Sequence, residues 1–277
     1  MRDKLNSLLE NVGDMALKRR ARKIIEELEI QDGDTILDAG CGDGFYLHLL
    51  SELGKFHLTG IDFDRNALNS AKKNLAKIKG IKILYGSVME LPFKDSSFDK
   101  VILTEVAEHL PDDLKGLKEI HRVLKQGGIL VLTVPNHNYP FLWDPVNKVL
   151  EASTGRHIKS GFWAGLWNQH IRLYYPKEII LKVKRAGFKI EKTENITHYS
   201  LPFNHHLLNF AARMLYGGSM SPKLANEVSK FSTNTKKNKV MPIGIAFKAV
   251  NLIDKLNDGV TDKSSVSVFV KGRKKSC

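Results

Sequence analysis

Thr35-Ile36-Leu37-Asp38-Ala39-Gly40-Cys41-Gly42-Asp43-Gly44 decides how the rest of this chain is read. Its first five residues are a short apolar run of strand character. Three glycines in the next five positions form a turn in which the backbone can adopt conformations closed to other residues. The apolar segment that follows, to about Leu53, reads as a helix. A strand, a glycine turn and a helix in that order leave free N–H groups at the helix start, aimed at whatever lies above the strand. The spacing is G-x-G-x-G, which differs from the G-x-G-x-x-G of dinucleotide sites and disfavours an oxidoreductase.

Working outward, the same alternation repeats. Upstream, residues 14–30 carry Leu17, Ala21, Ile24, Ile25 and Leu28 at helical spacing. Downstream come a strand over 56–61, a helix over 64–79, strands over 81–85 and 98–104, a helix over 112–124 stopped by Gly127-Gly128, and an apolar strand over 129–134 closed by Pro135. Short apolar strands alternating with helices predict a doubly wound α/β fold with a mostly parallel sheet covered on both faces. After Pro135 the rhythm breaks. Residues 136–170 are rich in aromatics, His and Asn without a clear period; helix 176–186 and strand 188–195 resume the pattern; 200–262 reads as a second irregular insertion; Ser265 to Val270 alternates like a final strand, and the basic tail Lys271 to Lys275 is expected to fray. The division expected is an N-terminal helical segment (1–30), a ligand-binding core (31–135), an acceptor-side insertion (136–175), and a completing segment (176–277) that holds the insertion 200–262.

Asp62 ends the second strand in Gly60-Ile61-Asp62, about 20 residues past the glycines, where a carboxylate can accept both hydrogen bonds of a ribose diol. The competing reading is a cap for helix 64–79. At this point the chain resembles the class I S-adenosylmethionine-dependent methyltransferases, in particular the small-molecule and lipid methylases of the type 11 group. The resemblance runs from Thr35 to Val134 through Ile36–Gly44, Gly60-Ile61-Asp62, Gly86 with Leu91-Pro92-Phe93, Ser97-Phe98-Asp99, Glu108-His109-Leu110-Pro111 and Leu124-Lys125-Gln126-Gly127-Gly128, with a fainter echo in Gln169-His170-Ile171-Arg172 and Ala186-Gly187-Phe188. It implies a seven-stranded sheet whose last strand is antiparallel, with the two insertions forming a lid. It also implies S-adenosylmethionine as cofactor: Asp38, Gly40 and Gly42 at its methionine end, Asp62 at the ribose, Ser87 and Val88 flanking the adenine, and Thr104 and Glu105 at the rim near the sulfonium, with Cys41 and Phe63 also among the cofactor-binding residues. Ser87 stands where the group usually has an acid. Glu105 has a second reading as a cap of the following helix.

Methyl transfer needs alignment and, for an alcohol or acidic carbon, a base. The candidates are His109, His137 and His170, each near the carboxyl end of a strand, and each equally readable as structural. No residues are read as a metal site. The acceptor atom (O, N or C) stays open, as does the oligomeric state.

Charge narrows the partner. Of the 277 residues, 1–134 hold 20 Lys and Arg against 21 Asp and Glu, whereas 135–277 hold 23 against 9. The excess favours an anionic partner, unless it is only a lysine-rich surface. Segments 205–216 and 243–256 have apolar stripes with Arg213, Lys248 and Lys255, and read either as peripheral membrane contacts or as helices packed on the domain. Trp143, Trp163 and Trp167 read as an acceptor pocket or a small core. The expected acceptor is therefore a hydrophobic or lipid-linked small molecule, with RNA or protein methylation, or a non-catalytic binding role, as alternatives. Two cysteines, Cys41 and Cys277, make no disulfide framework; no signal peptide is read at Met1-Arg2-Asp3-Lys4 and no apolar run reaches the roughly 20 residues of a spanning helix. A cytoplasmic protein, with optional contact at the inner membrane face, is the expectation.

Overall fold

The computed structural model describes residues 1–10, 12–199, 230–231, 252, 254–260 and 264–275. Segment 205–216 and most of 243–256 therefore lie outside the described residues.

Seven helices and seven strands are described: α1 (Arg2–Leu9), α2 (Met15–Glu27), β1 (Thr35–Ala39), α3 (Phe45–Leu53), β2 (His57–Asp62), α4 (Arg65–Asn74), β3 (Lys82–Tyr85), β4 (Phe98–Thr104), α5 (Asp113–Val123), β5 (Leu124–Pro135), α6 (Pro145–Thr154), α7 (Pro176–Arg185), β6 (Phe188–Ile196) and β7 (Ser267–Lys274). They build one seven-stranded sheet in the order β3-β2-β1-β4-β5-β7-β6. The first five strands are parallel, and β7 pairs antiparallel with both β5 and β6. Strand order reverses at β1, which lies between β2 and β4, and in open α/β sheets ligands bind at such a point, above the strand ends.

Period-2 side chains split the core into two layers. Ile36, Ile102, Ile129 and Val131 face one way, under α1, α2 and α3, with Leu5, Leu9, Ile24, Ile25 and Leu47. Leu37, Val101, Leu103, Leu130 and Leu132 face the other way, under α5 and α7, with Leu117, Ile120, Ile179 and Val183. A third, smaller cluster joins Tyr139, Trp143, Leu166, Trp167 and Leu173 to Ala16 of α2 and Val266. Trp143 and Trp167 are thus core, while Trp163 is half exposed.

Three expectations are corrected. Helix 64–79 ends earlier, at Asn74, and closes in turns to Gly80. Gly127-Gly128 does not delay the strand: Gly127 takes φ +74, and β5 begins at Leu124, opposite Phe98, with a register shift before Lys100. The tail is not frayed through Lys274. Lys271 and Lys274 are buried in β7, and the Lys274 ammonium donates to the His121 and Leu124 carbonyls at 2.7 Å. Pairing with strands on both sides holds the backbone, and those carbonyls satisfy the charge.

Candidate functional site

The glycine turn sits above β1. Gly40, Gly42 and Gly44 all have positive φ (+88, +52 and +85). At Gly40 a Cβ would come within 2.3 Å of a Val106 methyl, whereas at Gly42 it would meet nothing within 4 Å. Gly40 is therefore fixed by packing, and Gly42 by backbone conformation over open space. The Gly40 and Cys41 amides donate to the Ile61 carbonyl at 2.8 and 3.0 Å, tying the turn to the end of β2. The Cys41 side chain is buried; a Cβ on Gly60 would press on its sulfur, and burial pushes its thiol up. What Cys41 offers the turn is backbone.

Asp62 closes the other side. One of its oxygens accepts from the Gly42 amide at 2.8 Å and the other from the Asp64 amide at 2.9 Å. It does not cap α4; Asp64 does, accepting from Asn66. A buried carboxylate with both oxygens held points in a set direction, and Phe63 beside it is 66% exposed. Asp38 is different. It is fully buried, and neither oxygen has a hydrogen-bond partner among the described residues. Burial first, then the charges of Asp62 and Asp43, push its carboxyl up to about 8. An unpartnered interior carboxylate is costly unless it is protonated or meets a cation or donors.

At the end of β4, Glu105 takes φ +53, uncommon for a residue with a side chain. It is not a cap. Its carboxylate accepts from the Thr133 hydroxyl at 2.9 Å and pairs with Arg20 of α2 at 3.1 Å. Thr104 ends β4 beside it. Arg20 is a site residue that sequence reading missed; it lies on an ordinary amphipathic helix, and only the packing of α2 over the sheet delivers it. Ser87 caps its own turn by accepting from the Met89 amide at 3.2 Å, and Val88 is core.

The three histidines separate into two groups. His109 and His170 meet, with ring centroids 4.7 Å apart. The His109 Nδ1 lies 3.1 Å from the Gln169 carbonyl, and the His170 Nε2 lies 3.8 Å from the carboxylate of buried Glu108. His137 instead stacks on Tyr175 at 4.5 Å and sits 3.2 Å from Glu151. A cavity of about 1030 Å³ lies elsewhere, lined by Arg22, Lys23, Asn195 and His198 among others and by no residue of the glycine turn. Two of its cations are already matched, Arg19 by Asp254 and Asp258 and Lys23 by Glu194.

Residues 37–132 match the model of a family described as "Methyltransferase domain". The demethylmenaquinone methyltransferase of Staphylococcus epidermidis is 35% identical over 131 residues, which are 47% of this chain and 53% of that protein. The chain thus spans about half the length of the curated relatives it matches. Among solved structures, the [4+2]-cyclase SpnF superposes with a TM-score of 0.59 at 18% identity, over 93% of this chain and 81% of that one. Phosphoethanolamine N-methyltransferase 2 of Haemonchus contortus, solved with S-adenosyl-L-methionine, gives 0.58 at 20%, over 93% and 52%. Those likenesses speak to the fold.

Proposed function

Because residues 37–132 match the model of a methyltransferase domain, we propose that this chain is a class I S-adenosylmethionine-dependent methyltransferase acting on a hydrophobic small molecule. The observation that carries the reading is the pair of carboxylates around the glycine turn. Asp62 is locked by the Gly42 amide in a fixed direction, and the buried Asp38 carboxyl below it has no hydrogen-bond partner among the described residues. S-adenosylmethionine, when bound, supplies an electrophilic methyl group on a sulfonium and brings a ribose diol and an ammonium. The residues present fit it. Asp62 would take the diol, Phe63 and the Ser87–Val88 segment the base, and Asp38 with the Gly40–Gly42 backbone the methionine end. Thr104 and Glu105 would line the rim. Arg20 neutralises Glu105, so Glu105 acts there as half of an ion pair rather than as a bare anion.

For the acceptor, a ring carrying an apolar chain, of the quinone type, fits best. Support comes from the printed activity of the Staphylococcus epidermidis relative and from the apolar stripes of 205–216 and 243–256. We place the acceptor beside His109 and His170; His137 keeps company with Tyr175 and Glu151. No helix among the described residues is long and apolar enough to cross a membrane. A chain that meets a lipid acceptor at the inner membrane face through those two segments accords with the sequence. The basic second half carries less weight for RNA than its sign suggests, since Lys182, Lys192 and Lys271 already pair with Asp113, Glu27 and Glu29.

The test is incubation with labelled S-adenosylmethionine and fractionated cell extract. Label is expected in the organic, lipid-soluble fraction; label in RNA or protein alone would overturn the acceptor class. Flotation with anionic liposomes checks the membrane part, and a chain that stays at the bottom of the gradient would rule it out.

A further inference from the structure

Glu108, His109 and His170 form a group that the cofactor reading leaves unused. We propose that these three side chains hold a divalent transition-metal ion, zinc being the best match. One ligand atom from each lies within 4.8 Å of the others. Zinc binds imidazole nitrogen and carboxylate oxygen at about 2.0–2.2 Å in tetrahedral geometry, so two ligands of one ion stand about 3.4 Å apart. The 3.8 Å between the His170 Nε2 and the Glu108 carboxylate is within about half an ångström of that separation.

Three further observations point to an ion. Glu108 is fully buried, and both its oxygens lack a hydrogen-bond partner among the described residues. Its neighbour Glu105 is occupied by Arg20 and Thr133, and among the described residues no donor of that pair hydrogen-bonds Glu108. A carboxylate in this position is neutralised either by a proton or by a cation at bonding distance. Second, His109 Nδ1 is directed at the Gln169 carbonyl, which leaves the lone pair on Nε2; metal-binding histidines are oriented by this kind of second contact. Third, the cluster is flanked by two strained non-glycine residues, Glu105 at φ +53 and Gln169 at φ +62.

Two histidines and one carboxylate leave coordination positions open, as catalytic zinc sites do. That the open side serves the acceptor rests on the function proposed above. There the ion would bind an acceptor oxygen and ease loss of its proton to solvent. Ion binding itself stands apart from that reading.

The experiment is calorimetric titration of Zn²⁺ alone into the untagged full chain after dialysis against EDTA, with S-adenosylmethionine titrated separately. One equivalent of zinc is expected, with affinity falling by at least about tenfold in Glu108→Gln and in His170→Asn while cofactor affinity and thermal unfolding of the EDTA-treated protein hold. Glu108→Gln keeps the shape of the buried side chain, and His170→Asn is the check if the first variant folds poorly. No zinc uptake by the parent chain, or equal uptake by both variants, overturns the site. Loss of cofactor binding with zinc binding intact would instead count against the methyltransferase reading and leave the ion site standing.

Discussion

Residues up to Pro135 and residues after it share one sheet but reach it by different means. In the first part β1, β2 and β4 are each followed locally by a helix, α3, α4 and α5, and β3 runs on to β4 without one, so hydrophobic period reports most of the architecture. In the second part the partners are distant. β7 fits between β5 and β6 and runs against both. The cations of that half pair with acids of the first: Lys192 with Glu27, Arg273 with Glu29, and Arg172 and Lys182 with Asp113. A charge asymmetry that looks like a signal for an outside partner is therefore in part an attraction between two parts of one molecule.

The largest effect that would sharpen this contrast is expected in the first part. Gly40→Ala forces a left-handed backbone and a 2.3 Å contact with Val106. Strain and overpacking together should cost about 2–4 kcal/mol. Thermal unfolding measures it, and an unchanged midpoint would show that the turn is looser than described.

Next comes the Asp38 carboxyl. Its ordinary value is 3.8, and burial raises it to about 8, so the folded, ligand-free protein holds a proton there that the unfolded chain releases. The contribution is favourable at low pH and is lost as pH rises toward about 8. A cationic ligand that needs the carboxylate must expel that proton, so cofactor affinity should climb between pH 6 and 8, by up to about tenfold per unit, and Asp38→Asn should flatten the climb. Equal slopes in the two proteins would break the assignment.

In the second part, Tyr174→Phe removes a 2.6 Å bond to buried Asp113 and a 3.1 Å bond to the Ala107 carbonyl. About 1–2 kcal/mol of stability should go, read by denaturant unfolding. Asp113 is held below its usual range by Lys182, Tyr174 and Arg172 despite burial, so its contribution is present at neutral pH and lost as pH falls below the ordinary carboxylate value. The smallest change is Lys271→Met. Glu29 is half exposed and keeps Arg273, so the loss should stay within about 1 kcal/mol. A larger loss would mean that inter-half pairing matters more than this comparison allows.

What was legible in the sequence follows the same line. β1, the glycine turn and Asp62 lie within 30 residues of one another, and their roles depend on local conformation, so spacing reports them. Even Asp62 against Asp64 as helix cap is a question two residues wide. Arg20 and the meeting of Glu108 with His170 depend on where α2 and the loop before α7 pack, which no local period encodes. α6 was missed because residues 136–170 lack a clean apolar stripe, although Asp144-Pro145 is a good helix start, with Asp144 accepting from Asn147 and Pro145 in the first turn. The tail was misjudged because a run of cations reads as solvated until its carbonyl partners are known.

In the proposed site Asp62 takes the ribose of S-adenosylmethionine and the Gly42 backbone its methionine end. Calorimetry of that cofactor with the parent chain, Asp62→Ala and Gly42→Val tests it directly. The account predicts binding by the parent and a loss of roughly tenfold or more in each variant, as expected when a charged hydrogen-bond acceptor or its cradle is removed. Near-parental affinity in both variants would contradict it.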